Sequence, residues 1–220
     1  MSTAPDPDVV YYSIALPNSC VTTLVVTGVL SDSISATYST LLGNQPSTYG
    51  NTAFIWQSGN SIPYNEKPLK AYSIPGGTQD GSFSFGDLTI QSKSYIVGYA
   101  VGTDVSQICA TCYIPASGSD FSPFQTTLDV SNVSTDSAIV NYQTPVGYSP
   151  QTNSNCIALW EGSVASYTIL PLITLPITNN SSTGSVCINN FQFKRSTTYT
   201  LAYFMGAKQT MMAATYTFST

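Results

Sequence analysis

Apolar residues recur along this chain in short alternating or continuous runs, and no segment shows a capped 3.6-residue periodicity that would mark an amphipathic helix. Ser82-Phe-Ser-Phe85 alternates polar and apolar positions with period two, so one face of a sheet can turn inward while the other meets water. Thr22–Val29, Ser33–Ser39, Thr52–Gln57, Ser82–Ile90, Tyr95–Val101 and Gln107–Ile114 are short, rich in β-branched or aromatic residues, and bounded by Gly, Pro, Asn, Asp or Ser. Each reads as a strand. Six or seven strands in about 100 residues is the density of a β-sandwich.

The same series is written twice. Shifting the chain by 104 positions aligns Leu24, Val26, Val29, Asp32, Ser33 and Tyr38 with Leu128, Val130, Val133, Asp136, Ser137 and Tyr142 without a gap. The register then holds through Gly43/Gly147, Pro46/Pro150, Trp56/Trp160, Tyr95/Tyr199, Tyr99/Tyr203, Gly102/Gly206 and Ala110-Thr111/Ala214-Thr215. A match sustained over that span marks a duplicated unit. The expected organisation is a first sandwich over 1–115, a linker over 116–123 with Ala, Ser, Gly and Pro, and a second sandwich over 124–220. Val9-Val-Tyr-Tyr-Ser-Ile-Ala-Leu16 is strand-like too, yet its partner at this offset falls in the linker. It is expected to be an extra edge strand of the first copy; the alternative is that Val9, Val10, Tyr11, Tyr12, Ile14 and Leu16 pair with a neighbouring molecule's sheet edge.

Composition narrows the chemistry. The 220 residues carry 8% charged side chains, 42% hydrophobic and 12% aromatic, with a net charge of −5. The six Lys and Arg are scattered, so no phosphate-tracking surface is expected and nucleic acid is not a partner. The absence of histidine removes Ser-His-Asp, Cys-His and imidazole-metal chemistry. No G-x-S-x-G, Walker A, G-x-G-x-x-G or EF-hand pattern is present. No run reaches the roughly 18 apolar residues of a bilayer span, and the acidic, Pro-rich Ser2–Asp8 does not read as a signal peptide. Polarity drawn from Ser, Thr, Asn and Tyr favours an extracellular or particle surface over the cytoplasm.

Val133–Pro145 resembles the A–B corner and second strand of a fibronectin type III domain, and Phe191–Met205 resembles its E–F corner and strand F, with Leu88–Val101 as the counterpart in the first copy. The central strands Phe54-Ile-Trp56 and Ala158-Leu-Trp160 are closer to those of immunoglobulin-like SKICH and phosphatase N-terminal modules. The resemblance implies an all-β fold of two tandem immunoglobulin/fibronectin-III-like sandwiches, with Tyr95 and Tyr199 folding their hydroxyls back onto backbone at a corner. It also implies use in adhesion, spacing and recognition.

Among candidate features, Cys109-Ala-Thr-Cys112 has redox-motif spacing but lies in an expected strand, away from the helix N-terminus that would activate a thiol. Cys20 could pair with Cys109 or Cys112, and Cys156 with Cys187 across the two sheets; free thiols are the plainer expectation. Asn132, Asn179 and Asn180 open N-x-Ser triplets. Asp32 and Asp136 sit in turns, where they can cap their own backbone. The loop tyrosines Tyr49, Tyr64, Tyr72, Tyr148 and Tyr167 are expected to offer exposed contacts, with Trp56 and Trp160 as core anchors or binding platforms. No catalytic residue, cofactor or metal is expected. The chain reads as a non-enzymatic binding or assembly protein for a protein surface or glycan, able to form homo-oligomers. The alternatives are a carbohydrate-binding module or an accessory component of a toxin or larger enzyme.

Overall fold

The computed structural model describes residues 15–220, with side chains from Asn18 onward. The first copy comprises β2 (Thr23–Val29), β3 (Ile34–Ser39), β4 (Thr52–Trp56), β5 (Lys70–Ser73), β6 (Asp80–Phe85), β7 (Tyr95–Ala100) and β8 (Ile108–Ile114), with one helical turn, α1, at Pro46–Tyr49. The second comprises β10 (Thr127–Val133), β11 (Ser137–Gln143), β12 (Cys156–Glu161), β13 (Ile173–Pro176), β14 (Thr183–Asn189), β15 (Thr198–Phe204) and β16 (Met212–Ser219). Two short strands precede the copies: β1 (Ala15–Val21) and β9 (Ser122–Gln125). The all-β expectation holds.

Each copy sets a three-stranded sheet, β2-β3-β6 or β10-β11-β14, against the four strands β5-β4-β7-β8 or β13-β12-β15-β16, with every pairing antiparallel. The three-stranded sheets alternate as a half-buried sheet should: in β3, Ile34, Ala36 and Tyr38 are buried and Thr37 is exposed. The central strands of the larger sheets do not alternate. β4 and β7 are buried at every position because the outer face carries a second small core, in which Phe54, Trp56, Ile96 and Ile108 are roofed by Ile62 of the loop that follows β4. Their continuous apolar runs are the sequence signature of strands covered on both faces.

One recurrent detail explains a repeated glycine. Tyr38 lies opposite Gly81 and Tyr142 opposite Gly184 across their strand pairs. A Cβ on Gly81 would stand 2.5 Å from the Tyr38 Oη, and one on Gly184 would stand 2.6 Å from the Tyr142 Oη. The phenol rings fill the space a side chain would need, Tyr38 stacked on Tyr99 and Tyr142 tilted against Tyr203.

The strand β1 overturns one expectation. Residues 9–14 lie outside the described residues, but Ala15 and Leu16 open β1, which is not an edge strand of the first copy. It pairs antiparallel with β16 of the second copy, Val21 opposite Ala214 and Cys20 opposite Thr215. Reciprocally, β9 leads into the second copy yet pairs with β8 of the first, Gln125 opposite Ala110 and Phe124 opposite Thr111. These registers are the same at the 104-residue offset. The chain crosses between sandwiches at single buried residues, Thr22 and Thr126, whose amides donate to Ala213 O at 3.0 Å and Cys109 O at 2.8 Å. Each five-stranded sheet therefore takes its last strand from the segment leading into the other copy. That strand covers the edge which β8 or β16 would otherwise leave unpaired. Ser122 and Pro123, in the stretch that reads as linker, belong to β9. One apolar cluster runs through both halves, from Leu24, Phe85 and Tyr99 to Leu128, Tyr148 and Tyr203.

Candidate functional site

The two copies meet through their loops. Tyr64, in the loop after β4, tilts against Tyr148 of the second copy with ring centroids 5.6 Å apart. Tyr167, in the loop after β12, stacks on Tyr49 of the first copy at 5.3 Å. Leu41 of the first copy enters the outer core of the second, beside Trp160 and Phe204. Beneath the rings runs a hydrogen-bonded chain: the Tyr203 hydroxyl donates to Asn155 Oδ1 at 2.9 Å, Asn155 Nδ2 donates to Tyr148 Oη at 3.0 Å, and Tyr148 Oη donates to the Ser106 carbonyl of the first copy. In the first copy Tyr99 donates to Asn51 Oδ1, and Asn44 takes the place of Tyr148 and donates to the same oxygen.

This geometry corrects the reading of the loop tyrosines as exposed contacts. Tyr148 is 2% exposed. Tyr49, Tyr64, Tyr72 and Tyr167 are half-buried, and the hydroxyls of Tyr64 and Tyr167 are shielded from solvent. Sequence reasoning missed this because Tyr49, Tyr64, Tyr148 and Tyr167 are covered by the other copy, while Tyr72 lies on β5 and stacks on Phe83 of its own sandwich. Trp56 and Trp160 are core residues, and their indole N–H groups donate to Glu66 O at 3.0 Å and Ile169 O at 2.9 Å. Burial raises the pKa of Tyr64, Tyr148 and Tyr167 above the ordinary phenol range, and pushes the Cys109 thiol among them up to about 12. A thiol held neutral there is a small apolar group, not a nucleophile.

At the corners, Tyr95 Oη accepts the Gln91 amide N–H and Tyr199 Oη that of Lys194, both at 2.9 Å. The cysteines are free, in line with the plainer expectation, and the alternative Cys156–Cys187 bridge is not present. Cys156 faces the outer core of the five-stranded sheet, and Cys187 is exposed on the opposite side of the sandwich, so their side chains point apart. Cys20 is exposed on β1, while Cys109 and Cys112 are buried, and all three are free.

Two of the surface concavities lie beside these loops. The larger, about 550 Å³, lies between the copies, with Tyr64, Glu66, Asp104, Ser149, Thr152 and Asn153 in its wall. The other is an apolar groove of about 190 Å³ on the outer sheet of the second copy, floored by Trp160 and Phe204 and rimmed by Leu170 and Pro171. Leu170 is 81% exposed, and Val164, Ile169 and Leu172 beside it are more than half exposed. The corresponding loop of the first copy carries Asn65, Glu66 and Lys67. Sequence reasoning passed over this cluster because Thr168-Ile-Leu-Pro-Leu172 resembles an ordinary buried run. Its exposure follows from the loop's anchoring: Ile169 O accepts both Trp160 Nε1 and Gln209 Nε2, and Ser166 Oγ accepts the Thr168 and Ile169 amides.

No family model and no curated protein matches this chain. Among solved structures, chicken CNTN1 FN1-FN3 domains align at 13% identity with a TM-score of 0.30, over 89% of this chain and 65% of that one. Trypsin-activated alpha-2-macroglobulin from Escherichia coli aligns at 12% identity with a TM-score of 0.28, over 89% of this chain and 16% of that one. The chain thus spans less than two thirds of either. The strand order of its own sheets, three strands against four with a tyrosine at the E–F corner, decides the fold. Each copy is a fibronectin type III-like sandwich. The fold by itself fixes neither a function nor a partner. Among the described residues, no helix is long and apolar enough to cross a membrane.

Proposed function

We propose that this protein is a non-enzymatic binding module, acting at an extracellular or particle surface, that engages the apolar surface of a protein partner through the loop after β12. The observation that carries the reading is the cluster of Val164, Ile169, Leu170 and Leu172 beside the Trp160–Phe204 groove. Apolar side chains held exposed by fixed backbone contacts are a preorganised contact patch, since little loop entropy is lost on docking. The first copy, built on the same frame, has charged residues there, so the patch is a property of one loop and not of the fold. A carbohydrate site is less supported, because the tyrosines that might stack on sugars are occupied between the copies. The lack of histidine leaves few groups for acid–base chemistry near neutral pH.

A photo-crosslinking residue placed at Leu170 of the full chain should capture a partner in its native setting. With the crosslinker kept at position 170, Ile169→Asp with Leu172→Asp should abolish capture while leaving the circular dichroism spectrum unchanged. Undiminished capture by the double variant would refute the assignment.

A further inference from the structure

The geometry points to the junction between the sandwiches as a self-association surface, at which two copies of this chain can exchange halves through β1 and β9. The exchange is legible in the registers. β1 meets β16 and β9 meets β8 with the same residue pairings at the 104-residue offset, and each strand is followed by a crossing at a buried threonine. Tyr64 against Tyr148 and Tyr167 against Tyr49 repeat the reciprocity in the loops. Two equivalent units that each complete the other's sheet have the form of a two-fold dimer with swapped strands, here joined into one chain.

Only one short segment enforces that the two units belong to the same molecule. Residues 115–121 connect β8 to β9, and within them Ala116–Asp120 are exposed. Their hydrogen bonds are local: Gly118 N–H to Pro115 O, and contacts among Ser117, Ser119 and Asp120. If this hairpin opens, β2–β8 of one chain can pack with β10–β16 of a second. The first chain's β1 then covers the second's β16, and the second's β9 covers the first's β8. The β1–β16 and β8–β9 pairings, the tyrosine contacts and the Tyr148–Ser106 bond are all remade between chains. What changes is the hairpin's conformation and the entropy of bringing two chains together, so the balance responds to loop length and protein concentration. The partner is therefore a second copy of this chain, independently of what the apolar patch binds.

The test shortens the hairpin. Deleting residues 115–120 leaves Ile114 and Phe121 as the whole turn between the paired Tyr113 and Ser122. A two-residue hairpin needs positive φ at its centre, which a β-branched and an aromatic residue resist. Light scattering should give twice the 23.4 kDa chain mass with the far-ultraviolet spectrum retained. A folded monomer would overturn the proposal. Should the shortened chain fail to fold, the full-length protein decides. Thr215→Cys, in a background with Cys156→Ser and Cys187→Ser, places a thiol opposite Cys20 on the neighbouring strand. After refolding at increasing concentration, exchanged chains are joined by disulfides and run at double mass on a non-reducing gel. Removing Cys20 should abolish that band. Monomeric, internally bonded protein at every concentration would overturn the proposal equally.

Discussion

Tyr148→Phe tests the tie between the sandwiches by removing one oxygen and leaving the ring in place. Two hydrogen bonds go with it, the donation to Ser106 O and the acceptance from Asn155 Nδ2. Asn155 Nδ2 keeps a second acceptor, Asn153 O at 3.3 Å, and Ser106 is half-buried, so its carbonyl can recover water. The loss is therefore close to that of one or two net hydrogen bonds, about 1–2 kcal/mol. For a chain of this length that lowers Tm by roughly 3–6 °C. Asn155→Ala should cost more, about 3 kcal/mol, because it strips partners from two buried phenols at once. The double variant should then cost less than the sum of the singles, with a coupling of at least about 0.5 kcal/mol. Urea titrations followed by tryptophan fluorescence and circular dichroism supply the free energies, provided the two probes give coincident transitions. A Tyr148→Phe variant as stable as the parent, or strict additivity in the cycle, would refute the account of this junction.

Tyr95→Phe and Tyr199→Phe should each destabilise by about 1 kcal/mol, since the Gln91 and Lys194 amides lose their acceptors; an unchanged urea midpoint would count against the corner contacts. Gly184→Ala should cost about 1–3 kcal/mol by driving a methyl into the Tyr142 ring, whereas Gly28→Ala, which meets nothing within 4 Å, should cost far less; equal midpoints would show that the ring yields freely. Alkaline pH should unfold the protein. Burial raises Tyr64, Tyr99, Tyr148, Tyr167 and Tyr203 above 10.0, and raises Cys109 from 9.0 to about 12 and Cys156 from 9.0 to about 11. Each folded pKa lies above its unfolded value, so this stability is complete below about pH 9 and falls as the unfolded chain ionises first. Urea midpoints between pH 8 and 11, with tyrosinate absorbance recorded alongside, check this; all tyrosines ionising near pH 10 in a chain still folded would contradict it.

The strands were legible because each carries its own local signal, as in the alternation of Ser82-Phe-Ser-Phe85 and the apolar run of β7. The all-β sandwich class followed from their number and spacing. β5 and β13 escaped notice because four-residue edge strands such as Lys70-Ala-Tyr-Ser73 have too short a period to stand out. The crossing of β1 and β9 was invisible for a different reason. Periodicity tells which face of a strand is buried but not whose edge it joins, and for β1 that choice rests on contacts nearly two hundred positions apart, as between Cys20 and Thr215, while β9 turns back onto β8 within a stretch that reads as linker. The same gap misplaced the loop tyrosines: Tyr148 sits in a polar, turn-rich segment that reads as surface until the other sandwich is set against it. The exposed run at Ile169-Leu170 erred in the opposite direction, with apolar letters held outward by a tryptophan from β12 and a glutamine from the turn between β15 and β16.

The crossing strands also order events during synthesis. The strands of the first sandwich, from Thr23 to Gln125, follow one another without interruption and can close as soon as they have emerged. The other sandwich has to wait for β16 and then recover a piece of chain made before the whole of the first. Through that interval the waiting piece is an unsatisfied ribbon with hydrogen-bonding groups on both sides. Crowded ribosomes on one messenger, holding many such ribbons close together, are where a neighbour's strand could arrive before the chain's own.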